Sequence, residues 1–334
     1  MKKISILAIA IFTLLITKCQ SPAATSTPKP TPSATPNATG TPAPSPTPTQ
    51  THTPTPTCTA TPDQPDLVVL AESVALIDAQ TGELLYQKDP HAILYPASTT
   101  KIMTALLAVE NLDLNANLTI GDDVNQAWYK SRLDSQKAGL QYDETISIME
   151  LLYALLLPSG SDAAFVIAGA VARKVNNDPW MPTADAIQSF IRLMNQRADE
   201  IGAKDTHFAN PDGYQDPEHV STAYDMALIA REAMQNDIFR QIVATSRYDR
   251  ANRFNQNSPA FWENTNELID PQAGIYYPPA DGIKTGTSEQ AGHCLVSSAV
   301  FGERRFIAVV FKSTLPGVWR DSIRLLEYAQ SLGE

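Results

Sequence analysis

The chain has 334 residues, of which 25 are proline and 18% are charged, and thirteen of the prolines crowd between Pro22 and Pro65. That skew excludes one uniform domain, yet the roughly 268 residues beyond it suffice for one large core or two lobes, which excludes both a small scaffold held by staples and a polytopic membrane protein. The formal net charge of −11, more acidic still once Lys2, Lys3 and Lys18 of the leader are set aside, repels phosphate backbones and argues against nucleic acid as a partner.

Taken in chain order, Lys2 and Lys3 precede an apolar run from Ile4 to Ile16. Its length suits the core of an export signal better than a bilayer span of about 20 residues. An exported protein is therefore expected. The segment Leu15-Ile-Thr-Lys-Cys19 resembles a bacterial lipobox, which makes Cys19 the candidate lipidation site and an N-terminal anchor the candidate link to the membrane. Lys18 departs from that pattern, which has Gly, Ala or Ser before the cysteine. Cleavage near Ser21-Pro-Ala23 and retention of an uncleaved leader are the competing outcomes. Residues 22–66 hold fourteen threonines but only three charged residues, Lys29, Asp63 and Asp66. Such a segment buries too little apolar surface to offset chain entropy, so it reads as a tether between a leader at 1–21 and a globular part at 67–334. Its Thr-Pro and Pro-x-Pro repeats favour polyproline II, which at about 3.1 Å per residue gives a reach on the order of 140 Å.

Cys19, Cys58 and Cys294 lie in three compositional zones, which argues against a disulfide framework and leaves Cys58 a bystander. The five histidines show no metal-binding spacing, and no metal or cofactor is implied.

In the globular part, Val74–Ile77, the turn 78–82 and Leu84–Tyr86 predict a hairpin. Apolar residues at three-and-four spacing predict helices over 98–110, 147–157, 161–175, 183–201 and 222–235. A second hairpin is expected from His293–Val300, the turn 301–303 and Phe306–Phe311, followed by a last helix over 319–332. Asp122-Asp123 is expected to cap a helix running towards Trp128. Strands at both ends around a helical middle imply an α+β arrangement: an antiparallel sheet from the two chain ends, flanking helices and an inserted helical lobe.

Three segments carry chemistry. Ser98-Thr-Thr-Lys101 opens a predicted helix, where positions i and i+3 share a face and bring an amine within reach of a hydroxyl. Taken alone this spacing is weak, since Ser26-Thr-Pro-Lys29 in the tether has it too. Pro158-Ser-Gly-Ser-Asp162 forms a loop between two helices. Lys284-Thr-Gly286 reads as an edge strand whose glycine lets a ligand approach the backbone. A nucleophile with its lysine, a serine loop and Lys-Thr-Gly, in that order, form the signature of penicillin-binding proteins and serine β-lactamases.

The chain further resembles the D-alanyl-D-alanine carboxypeptidases among the low-molecular-mass penicillin-binding proteins. The likeness runs from about Ser73 to Tyr328 and includes Tyr95-Pro-Ala-Ser-Thr-Thr-Lys-Ile-Met103, His207-Phe-Ala-Asn-Pro-Asp-Gly213, His219-Val-Ser-Thr-Ala223, Asn264-Thr-Asn266, Gly282-Ile-Lys-Thr-Gly286 and Arg320-Asp321. The resemblance implies a penicillin-binding-protein fold and removal of the terminal D-Ala from peptidoglycan stem pentapeptides, with β-lactams as inhibitors. It implies Ser98 as nucleophile, Lys101 as base and Ser159 as proton relay. It further implies that Lys284 keeps Lys101 neutral, that Thr285 and Arg320 bind the substrate carboxylate, and that Gly286 and Thr287 line the strand. The backbone N–H groups of Ser98 and Thr287 would hold the oxyanion. Ser161 departs from the family's usual Ser-x-Asn, and a hydroxyl offers one donor where an amide offers two.

A D,D-endopeptidase and a low-turnover binder of peptidoglycan or β-lactam are the alternatives. A β-lactamase is weaker, because it would need a carboxylate, usually in a Glu-x-x-x-Asn loop, to drive deacylation, and no such loop is expected between Ser159 and Lys284. Many relatives carry a C-terminal β-rich domain and an amphipathic helix, whereas this sequence reaches only Glu334, so attachment is expected at the N terminus. His207 and His219 read as loop-ordering residues, and Cys294 as a small buried apolar residue beside the active-site strand.

Overall fold

The computed structural model describes residues 67–332 apart from 130, 131, 133 and 252. The leader, the tether, Cys19 and Cys58 lie outside the described residues.

The first strands, β1 (Ser73–Asp78) and β2 (Leu84–Lys88), pair as the expected hairpin. A 3-10 turn, Ala97–Thr100, leads into α1 (Lys101–Asn111). Next come β3 (Asn117–Thr119), a 3-10 stretch at Asp122–Trp128, β4 (Thr145–Ser147), α2 (Ile148–Leu156), α3 (Ser161–Val175) and α4 (Thr183–Ile201). After them follow α5 (Ala223–Ala233), α6 (Asp237–Val243), β5 (Arg247–Asp249) and β6 (Phe261–Glu263). The chain returns through β7 (Ala280–Ser288), β8 (Gly292–Phe301) and β9 (Arg304–Ser313) to α7 (Gly317–Ser331). The main sheet is antiparallel in the order β2-β1-β9-β8-β7, so it is built from the two chain ends as expected, and β7 is an edge.

Strand alternation sends side chains to two cores. Ala75 and Ile77 of β1, with Ile307, Val309 and Phe311 of β9, join the core shared with α1 to α5. Their neighbours Val74, Leu76, Phe306, Ala308 and Val310 pack with Val318, Trp319, Leu325 and Leu326 of α7. Both sheet faces are thus covered, which is why β1 and β9 read as continuous apolar runs. Helix α1 is buried along Lys101–Ala108, an all-round burial that places its first residue, a lysine, inside the protein.

Local chemistry explains the helix ends. The Ser147 hydroxyl caps α2 by accepting from Glu150 N, and Thr222 caps α5 by accepting from Asp225 N. The helix expected to reach Gln235 stops at Ala233, and Asn236 caps the separate α6 by accepting from Phe239 N. The Asp122-Asp123 expectation needs correction. No side chain caps that 3-10 stretch; Asp123 instead pairs with Arg173 of α3 and accepts from the Thr183 hydroxyl at the start of α4.

Candidate active site

Ser98 and Lys101 meet because the turn that holds them is tighter than the α-helix expected there. In a 3-10 helix residues i and i+3 eclipse, and Lys101 Nζ lies 3.0 Å from Ser98 Oγ. The preceding Ala97 has φ +47°, a left-handed conformation that costs a residue with a Cβ about 1–2 kcal/mol. Two glycines brace the turn. At Gly213 (φ +81°) an added Cβ would fall 1.9 Å from the Ala97 carbonyl oxygen, and at Gly286 it would fall 3.1 Å from Ser98 N. Strand β7 and the 210–213 turn therefore press on the nucleophile from two sides.

Lys101 is fully buried, and its Nζ donates to the Asp212 carbonyl at 2.6 Å. Burial lowers its pKa from 10.5 to about 8; Asp212 and Asp162 oppose the fall, and Arg132 adds to it. Lys284 is also buried and donates to the Thr285 carbonyl at 3.1 Å. Burial, then the charge of Lys101, hold its pKa well below the ordinary lysine value. Desolvation is the largest cause of the depression at Lys101, with Arg132 adding to it, and the repulsion between Lys101 and Lys284 is mutual, standing second to burial at Lys284.

Ser159 sits in the loop between α2 and α3 with φ +64°, and its buried Oγ has no hydrogen-bond partner among the described residues. A buried hydroxyl left unpaired in this way is costly unless a ligand or water completes it. Gly160 is required there: a Cβ would approach the Ala154 carbonyl oxygen to 2.5 Å and Ala138 Cβ to 2.8 Å. Ser161 opens α3, where its N–H donates to the Gln136 carbonyl. The fully buried carboxylate of Asp162 accepts from the N–H groups of Ala138, Gly139 and Leu140 and so ties the adjoining loop to the helix.

Ser98, Ser159, Ser161, Thr285, Gly286 and Thr287 all line one cleft of about 1050 Å³. Arg320 does not. It is exposed on α7, and its neighbours Val318 and Trp319 form that part of the wall. Cys294 is buried beside the cleft, and desolvation pushes its thiol up to about 12, in keeping with the apolar role expected of it. Both histidines order loops. His207 Nδ1 donates to the Glu218 carbonyl at 2.7 Å. His219 Nδ1 accepts from Ala209 N, which leaves the proton on Nε2 to donate to the Thr100 hydroxyl at 2.7 Å.

Sequence reasoning missed several residues here. Thr265 Oγ1 lies 2.5 Å from Thr285 Oγ1, a contact foreshadowed by the Asn264-Thr-Asn266 segment. Arg132 pairs with the Asp212 carboxylate at 2.7 Å and stacks between Phe165 and Tyr214. Nothing in local sequence marks Arg132, whose partners lie 33 to 82 positions away. The spacing Glu-x-x-x-Asn does occur once between Ser159 and Lys284, as Glu232 to Asn236. Glu232 pairs with Arg197 and does not line the cleft, so it supplies no deacylating carboxylate there.

Chemically, the arrangement offers a hydroxyl with an adjacent amine whose pKa is near neutral, a second unpaired hydroxyl, and a strand edge flanked by two hydroxyls. Residues 58–314 match the family model described as D-alanyl-D-alanine carboxypeptidase, peptidase S11. The chain is 34% identical over 262 residues to D-alanyl-D-alanine carboxypeptidase DacF of Bacillus subtilis, covering 78% of this chain and 62% of that protein's length. It is 34% identical over 261 residues to a D-alanyl-D-alanine carboxypeptidase of Streptomyces sp. strain K15, covering 75% of this chain and 84% of the relative. The crystal structure of the Streptomyces K15 DD-transpeptidase is similar with a TM-score of 0.70 and 32% identity, covering 80% of this chain and 98% of the other.

Proposed function

The chain belongs to the D-alanyl-D-alanine carboxypeptidase family, and from that premise we propose that it removes the terminal D-Ala from peptidoglycan stem pentapeptides through an acyl-enzyme on Ser98. The observation that carries the reading is the 3.0 Å contact between Ser98 Oγ and the fully buried Lys101 Nζ. A neutral amine there accepts the hydroxyl proton as Oγ attacks the penultimate D-Ala carbonyl. The N–H groups of Ser98 and Thr287 hold the developing oxyanion, a role supported by the close packing of Gly286 on Ser98 N. Ser159, with its unpaired hydroxyl facing the cleft, passes the proton to the departing amine.

The leaving D-Ala carboxylate is assigned to Thr285, with Lys284 supplying hydrogen-bonding support beneath it and Arg320 contributing positive charge from outside the wall. Water activated by Lys101 and Ser159 then releases the shortened peptide. β-Lactams acylate the same serine. Acting on peptidoglycan, the domain works outside the cytoplasm. Among the described residues no helix is long and apolar enough to cross a membrane. Attachment is assigned to Cys19, with residues 22–66 as spacer. Equal solubility of wild type and Cys19→Ala after cell fractionation would remove the lipid anchor from this reading.

A second reading rests on the K15 structure's description as a DD-transpeptidase. The same acyl-enzyme, attacked by an amine instead of water, would exchange D-Ala and not merely release it. The deciding experiment incubates wild type and Ser98→Ala with diacetyl-Lys-D-Ala-D-Ala, with and without added glycine, and follows free D-Ala and products by mass spectrometry. Release by wild type alone supports the carboxypeptidase; a dominant glycine adduct supports transfer. No product of either kind, despite labelling of Ser98 by a fluorescent penicillin, leaves a binder.

A further inference from the structure

Outside the groups assigned to the reaction, one cluster adjoins Lys101 through the turn at Asp212. Asp212 is about 1% exposed in its side chain, and its main-chain oxygen takes a hydrogen bond from Lys101 Nζ at 2.6 Å. One carboxylate oxygen pairs with Arg132 at 2.7 Å, and the other has no hydrogen-bond partner among the described residues. The Arg132 guanidinium is held in place by two rings, 5.1 Å from the Phe165 centroid and 4.8 Å from that of Tyr214. The turn carrying Asp212 is fixed in turn by Asn210, whose side-chain oxygen accepts from Gly213 N and Tyr214 N.

A neutral amine has two N–H bonds and one lone pair. When the Asp212 carbonyl takes one N–H, the rotation of the amine is restricted and its lone pair can be aimed at Ser98. An uncompensated carboxylate on the same residue would favour the ammonium form and disable the base. From these contacts we propose that Arg132 and Asp212 form a positioning pair: their ion pair holds the turn that orients Lys101, and Arg132 cancels the Asp212 charge that would otherwise keep Lys101 protonated. Both residues act through Lys101, Asp212 by its main-chain contact with Nζ and Arg132 through Asp212. The inference rests on the assignment of Ser98 as the acylated residue and Lys101 as its base.

The remaining charged groups facing Lys101 are few. Asp162 at the start of α3 favours its charge, as does Asp212, while Arg132 opposes it. Lys284 of β7 is coupled to it by mutual repulsion, and Lys137 lies in the same field of Asp162, Asp134, Asp212 and Arg132. His219, beside Thr100, is held neutral by burial, with its pKa lowered to about 4.

The test measures the second-order rate of Ser98 acylation by a fluorescent penicillin from pH 5 to 10, for wild type, Arg132→Gln, Asp212→Asn and the double variant. The pairing predicts shifts of opposite sign in the rising limb of the rate profile. Arg132→Gln, which exposes Lys101 to an unbalanced carboxylate, moves the limb up by roughly one pH unit, and Asp212→Asn moves it down. The double variant returns the limb close to its wild-type position even where its plateau rate is lower. Thermal unfolding confirms that each variant is folded, and Arg132→Lys, which keeps the charge, should keep the wild-type limb if Arg132→Gln proves too unstable. Limbs that stay put in all variants, or that move in the same direction, overturn the proposal. Absence of labelling in wild type would instead defeat the assignment of Ser98 on which it rests.

Discussion

Replacing Gly213 by alanine tests whether the nucleophile turn is held from behind. The new Cβ would start 1.9 Å from the Ala97 carbonyl oxygen, where contacts shorter than 3.0 Å are essentially never seen, and the backbone there has φ +81°. Ala97 or the 210–213 turn must therefore retreat by about 1 Å, a displacement that at a reacting centre can cost on the order of 100-fold in rate. Left-handed backbone adds about 1–2 kcal/mol of destabilisation. Because Ala97 precedes Ser98 and Asp212 holds Lys101, movement on either side spoils the Ser98–Lys101 contact. The acylation rate by fluorescent penicillin should fall roughly 100-fold, while thermal unfolding shows a folded protein with a Tm lower by several degrees. Acylation within threefold of wild type, at any Tm, would refute the idea that this turn sets the nucleophile's position.

Two further outcomes follow from the site. His219 has a folded-state pKa of about 4 against an ordinary 6.5, because burial disfavours its charged form. Between those values the unfolded chain binds a proton that the native state does not, so stability is full above pH 6.5, falls as pH drops and levels off below about pH 4. The loss amounts to roughly 3 kcal/mol. His219→Gln should flatten the pH dependence of Tm in that window, and an unchanged slope would contradict the assignment. Ser161→Asn restores the amide usual in the family at a position lining the cleft; D-Ala release should rise about tenfold or more, the equivalent of one hydrogen bond to a charged group. A decrease would mean that the buried start of α3 has no room for the longer side chain.

Much of the chemistry was legible in the sequence because its elements are local. Ser98 and Lys101 are three residues apart, Ser159 and Ser161 share a loop, and Lys284 to Thr287 form one strand. The five long helices were readable from their apolar stripes, although the break at Asn236 between α5 and α6 was not, since Met234 and Gln235 continue a helical pattern. The short strands β3 to β6 escaped notice because three residues carry too little periodicity to stand out. Arg320 matched a family motif, yet the side chains that α7 presents to the cleft are those of Val318 and Trp319.

The sequence by itself determined which functional groups the protein carries, their order along the chain and the two-ended sheet that joins them, because hydrophobic period and motif spacing are properties of neighbouring residues. Only the tertiary structure decided how those groups are tuned. The depression of Lys101 comes from its complete burial at the start of α1, and the 3.0 Å contact with Ser98 from a 3-10 turn braced by Gly213 and Gly286. The balance of charge around the base comes from Arg132 and Asp212, 80 positions apart. Desolvation and Coulomb interaction depend on distance in space, and folding alone sets that distance.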